Sequence, residues 1–170
     1  MEDAAEFILM WGVVPLWVLA GLADWWCHRR TAIERTSGWR ENAFHWVLFA
    51  EAGVALGAAA LLEPDAAVLM LAFAAFLAHE ATTYIELRYT VPLREVRPLE
   101  QMIHSFMEIL PLLLLALLAV MGSDQALVRS GADVPDFGLR AREDPWPPAY
   151  LAGAAAAVLL FNVLPMAEEG

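Results

Sequence analysis

The chain contains four histidines, His28, His45, His79 and His104, and three of them follow a carboxylate by four residues: Asp24 before His28, Glu41 before His45 and Glu100 before His104. Residues four apart in a helix stand one above the other on a single face, so each pair offers a carboxylate oxygen and an imidazole nitrogen to one point. Glu108 extends the third pair by another turn, and Glu86 follows His79 by seven residues, about two turns along one stripe. All lie inside or at the ends of long apolar runs, where an ionisable group is costly and marks a functional position. Mixed carboxylate and imidazole donors suit iron, manganese or zinc, whereas a lone cysteine, Cys27, excludes a thiolate cluster. The expected metal ligands are Asp24, His28, Glu41, His45, His79, Glu86, Glu100, His104 and Glu108. Glu51 and Glu80, acids on faces expected to be apolar, and Tyr84, one turn from Glu80, are the expected catalytic groups, with an interfacial anchor as the competing role for Tyr84.

Each histidine alone has a plainer explanation as a hydrogen-bonded polar residue between helices. Glu34, Glu86 and Glu100 likewise have cationic neighbours in Arg35, Arg88 and Arg97. Together the groups resist that explanation, because unpaired buried carboxylates are strongly disfavoured and need a source of positive charge. Arg29, Arg30 and Arg40 are placed to supply part of it, and metal ions the rest.

The elements that must position these groups are membrane helices. Of 170 residues, 60% are hydrophobic and 18% charged, against about a quarter charged in soluble domains, so the solvent for most of the surface is expected to be lipid. Apolar runs near the ~20 residues that span hydrocarbon mark five helices, at about 7–28, 41–62, 66–87, 99–121 and 149–166. The whole chain 1–170 reads as one all-α transmembrane domain, with helices 1–4 forming a four-helix core around a polar site. Thr36-Ser37-Gly38, Glu63-Pro64-Asp65 and the stretch from Pro92 to Pro98 break the runs, and a long loop covers 122–148. The acidic start MEDAAEF lacks the basic region of a signal peptide, so the first run is expected to be a retained helix.

Orientation follows from arginine. Arg29, Arg30, Arg35 and Arg40 lie between helices 1 and 2, and Arg88, Arg94 and Arg97 between helices 3 and 4, while the N-terminus and the 63–65 turn carry only acids. The positive-inside rule puts the N-terminus outside and the C-terminus inside, in a bacterial cytoplasmic membrane, and gathers all four histidines in the cytoplasmic leaflet. No basic tract with interleaved aromatics is present, which excludes nucleic acid as a partner. Trp11, Trp17, Trp25, Trp26, Trp39 and Trp46 gather near helix ends as an interfacial belt would. Gly53-x3-Gly57 and the Gly153–Ala157 run are smooth faces expected to allow close helix packing, including a homodimer contact, and Asn162 is a lone polar group suited to bond between helices. Pro111 and Pro165 are expected to kink their helices.

Four helices each presenting a carboxylate–imidazole pair resemble, at the level of class, the carboxylate-bridged diiron bundles and the membrane-bound diiron oxidases, hydroxylases and desaturases. The spacing departs from the Glu-x-x-His of the soluble members, and the HxxxH and HxxHH clusters of the membrane enzymes are absent. Three functions compete. The first is a membrane diiron oxidoreductase with two metal ions, iron before zinc or manganese, an electron donor, and a lipophilic substrate such as an acyl chain, quinone or isoprenoid. The second is a zinc-dependent lipid hydrolase, in which metal activates water and a free carboxylate acts as base. Asp24-Trp25-Trp26-Cys27 resembles a short segment of the alkaline ceramidases, whose closing HxxxH the chain lacks. The third is a non-enzymatic metal carrier or sensor, disfavoured because the far halves of the helices offer no polar path.

Overall fold

A computed structural model describes residues 1–122 and 138–169. Five helices among these are long and apolar enough to cross a membrane: α1 (Glu2–Thr31), α2 (Trp39–Leu61), α3 (Ala66–Thr90), α4 (Pro98–Met121) and α5 (Pro148–Glu169). The chain is accordingly an all-helical bundle with the character of an integral membrane protein. Lipid leaves no other partner for backbone N–H and C=O groups, so the peptide is satisfied within each helix. The helices run beyond the apolar stretches that mark them, α1 to Thr31, α3 to Thr90 and α5 to Glu169. Hydropathy marks the hydrocarbon, and helical hydrogen bonding continues past it into the polar interface.

Local sequence accounts for the ends. Asp65 accepts a hydrogen bond from the Val68 N–H at 3.0 Å and caps α3, and Pro98 and Pro148 occupy first turns, where the missing N–H costs nothing. α1 closes on Ala32 in the left-handed region (φ 51°), and Gly38 (φ 71°) precedes α2. Each of two prolines follows a π turn by two residues: Leu9–Val13 precedes Pro15, and Leu159–Val163 precedes Pro165. A widened turn absorbs the clash that a proline ring makes with the preceding carbonyls, so both helices continue instead of breaking. Pro165 is accommodated by its π turn, and Pro15 is a second such site that the apolar pattern conceals.

α2 packs most extensively on α3, α1 on α4, and α4 also on α3, while α5 lies along α1 and meets α2 principally through residues 164–169. Helices 1–4 therefore do not close on themselves, and α5 contributes to the interior. The bundle divides along its length. At one end Leu9, Val13, Val68, Leu110, Leu114 and Leu118 pack around small residues such as Ala58, Ala59 and Ala72. Residues 140–142 fold over this end, with Glu63 N–H donating to Arg140 O, Arg142 N–H to Leu61 O, and the Arg142 side chain to Glu6 at 2.8 Å. At the other end the interior is polar, with Asp24, His28, Glu41, Glu86, Arg94 and Glu100 all buried. The middle of the expected 122–148 loop, residues 123–137, lies outside the described residues.

Asn162, in the π turn of α5, donates to the Val18 carbonyl of α1 at 3.3 Å and occupies the space where a side chain on Gly21 would sit. Gly21→Ala is therefore expected to lower the thermal unfolding midpoint in detergent, by the equivalent of about 1–3 kcal/mol. Asn162→Ala removes the obstacle, so the double variant is expected to cost less than the sum of the two single changes.

Candidate metal centre

At the Arg-rich end, α1 contributes Asp24 and His28, α2 Glu41 and His45, α3 Glu86, and α4 Glu100 and His104. The carboxylate–imidazole spacing of four residues works as helical geometry requires for Asp24 and His28, whose Oδ1 and Nε2 are 3.4 Å apart. Asp24 also reaches His104 Nε2 at 2.8 Å, and Glu100 lies 3.6 Å from His28 Nε2. Three groups of donors have all their ligating atoms within 4.8 Å of one another: Asp24, His28 and His45; His28, Glu100 and His104; Glu41, His45 and Glu86. Seven of the nine expected ligands thus come together.

Glu169, on the last turn of α5, joins them unforeseen. Its Oε1 accepts from His28 Nδ1 at 3.1 Å, and its Oε2 lies 3.8 Å from His45 Nδ1. The two imidazoles are stacked, with centroids 4.6 Å apart and planes within 5°. One carboxylate therefore spans the Nδ1 edges of two parallel rings, which leaves the Nε2 atoms as the available ligands. Ending the fifth helix at Met166 hides this residue. Asn162 and Glu169, seven apart on one stripe of a helix that returns to the histidine end, are the signal that would have found it.

Charge compensation is also supplied differently from expectation. Arg29, Arg30 and Arg40 sit over the rings of Trp25, Trp26 and Trp39 at the periphery. The cation within the cluster is Arg94, from the α3–α4 connection, which donates to both oxygens of Glu41 and to Glu100 Oε1 at 2.5 Å. Burial lowers the affinity of its guanidinium for a proton, but its hydrogen bonds to Glu41 and Glu100 outweigh burial and hold it well above its ordinary value. Arg94 is thus a fixed positive charge. One cation faces five buried carboxylate side chains, Asp24, Glu41, Glu86, Glu100 and Glu169, which leaves four negative charges when the imidazoles are neutral.

The remaining expected residues lie elsewhere. His79, buried on α3, has its Nδ1 3.7 Å from Glu51 Oε2, and the other Glu51 oxygen accepts from Thr82 at 2.9 Å. The stripe shared by His79 and Glu86 is split, since Glu86 accepts from Thr90 at 2.8 Å and lies with Glu41 and His45. Glu108 and Glu80 form a further half-buried pair near Thr83 on the α3–α4 interface. Tyr84 points outward, 62% exposed, with Arg88 donating to its hydroxyl at 3.4 Å. Its ring is thus turned away from the buried cluster, which it does not join. Glu34 is exposed beside Arg35, as its simple ion-pair reading has it.

A cavity of about 170 Å³ lies against the cluster, bordered by Asp24, His28, His45, His79 and His104 on one side and by apolar side chains on the other. Among the described residues, His28 Nε2, Glu100 Oε2, His79 Nδ1 and Glu51 Oε2 are buried without a hydrogen-bond partner. Unmet donors and acceptors at such density are uncommon in native interiors and call for a ligand. The fold and the site define a class: a helical membrane bundle with a one-sided His/carboxylate cluster that offers metal-binding geometry. No protein-family model matches the chain, and no curated protein or solved structure is significantly similar to it.

Arg94→Gln leaves Glu41 and Glu100 buried without their cation, and the expected cost is about 3–5 kcal/mol, read as a large fall in the unfolding midpoint. Arg35→Gln, in the exposed pair with Glu34, is expected to leave that midpoint unchanged.

Proposed function

We propose that the chain is a membrane-embedded metalloenzyme whose dinuclear His/carboxylate centre, most simply a diiron centre, acts as an oxidoreductase on a lipid-soluble substrate. The observation that carries this reading is Glu169 bridging the Nδ1 edges of His28 and His45, whose rings stack 4.6 Å apart. Fixing Nδ1–H on each ring presents two Nε2 lone pairs side by side, the preparation that paired metal ions need. His28, with Asp24, Glu100 and His104, would hold one ion, and His45, with Glu41 and Glu86, the other. The charge supports the same number: two divalent cations match the four negative charges that Arg94 leaves uncompensated.

Iron bound there would supply the redox chemistry. The chain's own residues would hold and orient it: Arg94 restrains Glu41 and Glu100, Glu169 holds the two rings, and the apolar half of the bundle excludes water from the far side. Glu51 with His79, and Glu80 with Glu108, would store or pass protons beside the centre. With arginines at the cluster's end, the centre would face the cytoplasm, where an electron donor has access.

A zinc-dependent hydrolase is the second reading, favoured by one observation. His28, Glu100 and His104 form a group of two imidazoles and one carboxylate, the three-ligand set that leaves a zinc position open for water.

Metal analysis of the detergent-purified protein distinguishes them. Two irons per chain are expected. His45→Ala or His104→Ala is expected to remove at least one, and Glu63→Ala, at the opposite end, none. One zinc per chain would favour hydrolysis, and metal-free protein whose stability ignores chelators would overturn both readings.

A further inference from the structure

The Gly53-x3-Gly57 face of α2 reads as a packing surface in sequence, yet a β-carbon built on either glycine, or on Gly153 of α5, meets nothing within 4 Å. The reason lies in how α5 docks. Its π turn and first helical part pack on α1, and only its last turn, residues 164–169, packs substantially on α2. Above that closure the two helices stand apart, and Gly53 both lines the cavity and is exposed. The cavity therefore has a gap toward lipid beside Gly53, which has no side chain to fill it.

Its contents are constrained by chemistry as well as by shape. Trp17, Val18, Phe49, Leu56 and Val158 form the apolar wall, and His79, only 7% exposed, lines the cavity with an Nδ1 that has no hydrogen-bond partner. An apolar cavity of about 150 Å³ takes one benzene molecule. At about 170 Å³, this one has the size for a single substituted ring.

We propose that the lateral gap between α2 and α5 admits the ring-bearing end of a lipophile from the bilayer. The ring carries an oxygen substituent that meets the His79 Nδ1, and the rest of the molecule stays in lipid. This names the substrate class of the metalloenzyme proposed above and rests on that reading for what is done to the ring.

The test is titration of the detergent-purified protein with tetramethyl-1,4-benzoquinone, read by quenching of tryptophan fluorescence, since Trp17 and Trp25 both border the cavity. Saturable quenching that excess palmitate does not relieve is expected. A β-carbon at Gly53 meets nothing within 4 Å, so Gly53→Phe starts into open space and is expected to weaken the quenching at least tenfold while metal content and unfolding midpoint stay as in the wild type. Val158→Phe, from the opposite wall, is expected to do the same and serves if Gly53→Phe does not accumulate. Palmitate competing with the ring, or quenching unchanged in both variants, would overturn the proposal. So would unchanged quenching in a Gly53→Phe protein converted from dimer to monomer, which would make the face a contact between copies. Wild-type protein that carries no metal yet shows the expected quenching would remove the metal reading and leave the ring site standing.

Discussion

Five carboxylates held in one end of an apolar bundle constrain everything else in this structure, because an ionised group removed from water must be matched by opposite charge or by hydrogen bonds. Arg94 answers for Glu41 and Glu100, drawing the α3–α4 connection into the interior. Thr90 satisfies one oxygen of Glu86, and three imidazoles lie among Asp24, Glu100 and Glu169. What these partners leave over is negative charge and unmet lone pairs at a common depth. With the imidazoles neutral, that imbalance, more than the identity of any one ligand, makes the cluster a candidate metal centre.

The opposite half of the bundle makes the cluster tolerable. Leu9, Val68, Leu110, Leu114 and Leu118 are almost wholly buried around short alanines, which sets the vertical register of α1, α3 and α4. A dense interior transmits that register along rigid helices, so Asp24 on α1 meets His104 on α4 at hydrogen-bond distance. The π turns have a comparable role. By letting α1 and α5 continue past Pro15 and Pro165, they deliver His28 and Glu169 to the same point. A break at Pro165 would have left Glu169 in solvent and both Nδ1 atoms without a common partner.

Much of this was legible in the sequence because period and hydropathy are strong signals. Five apolar runs located five helices, and the four-residue spacing of Asp24 with His28 and Glu100 with His104 placed the core of the cluster. Other features depend on contacts that no pattern encodes. Arg94 sits among other loop arginines, and only the fold distinguishes it from Arg88 and Arg97. Glu169 lies past the end of the hydrophobic run, so a boundary drawn by hydropathy discards it. His79 and Glu86 share a stripe in the sequence, but seven residues also set them about 10 Å apart along the helix, and His79 meets Glu51 of α2 instead. Tyr84 shows the limit of spacing alone, since one turn from Glu80 still allows a side chain to point outward.

X-ray absorption at the edge of the bound metal in detergent-purified protein tests the central claim most directly. The expected result is a first shell of nitrogen and oxygen at about 2.0–2.2 Å with a metal–metal vector near 3.5–4 Å, both weakened by Glu169→Gln. A sulfur-dominated shell, or protein that binds no metal in stoichiometric amount, would contradict it.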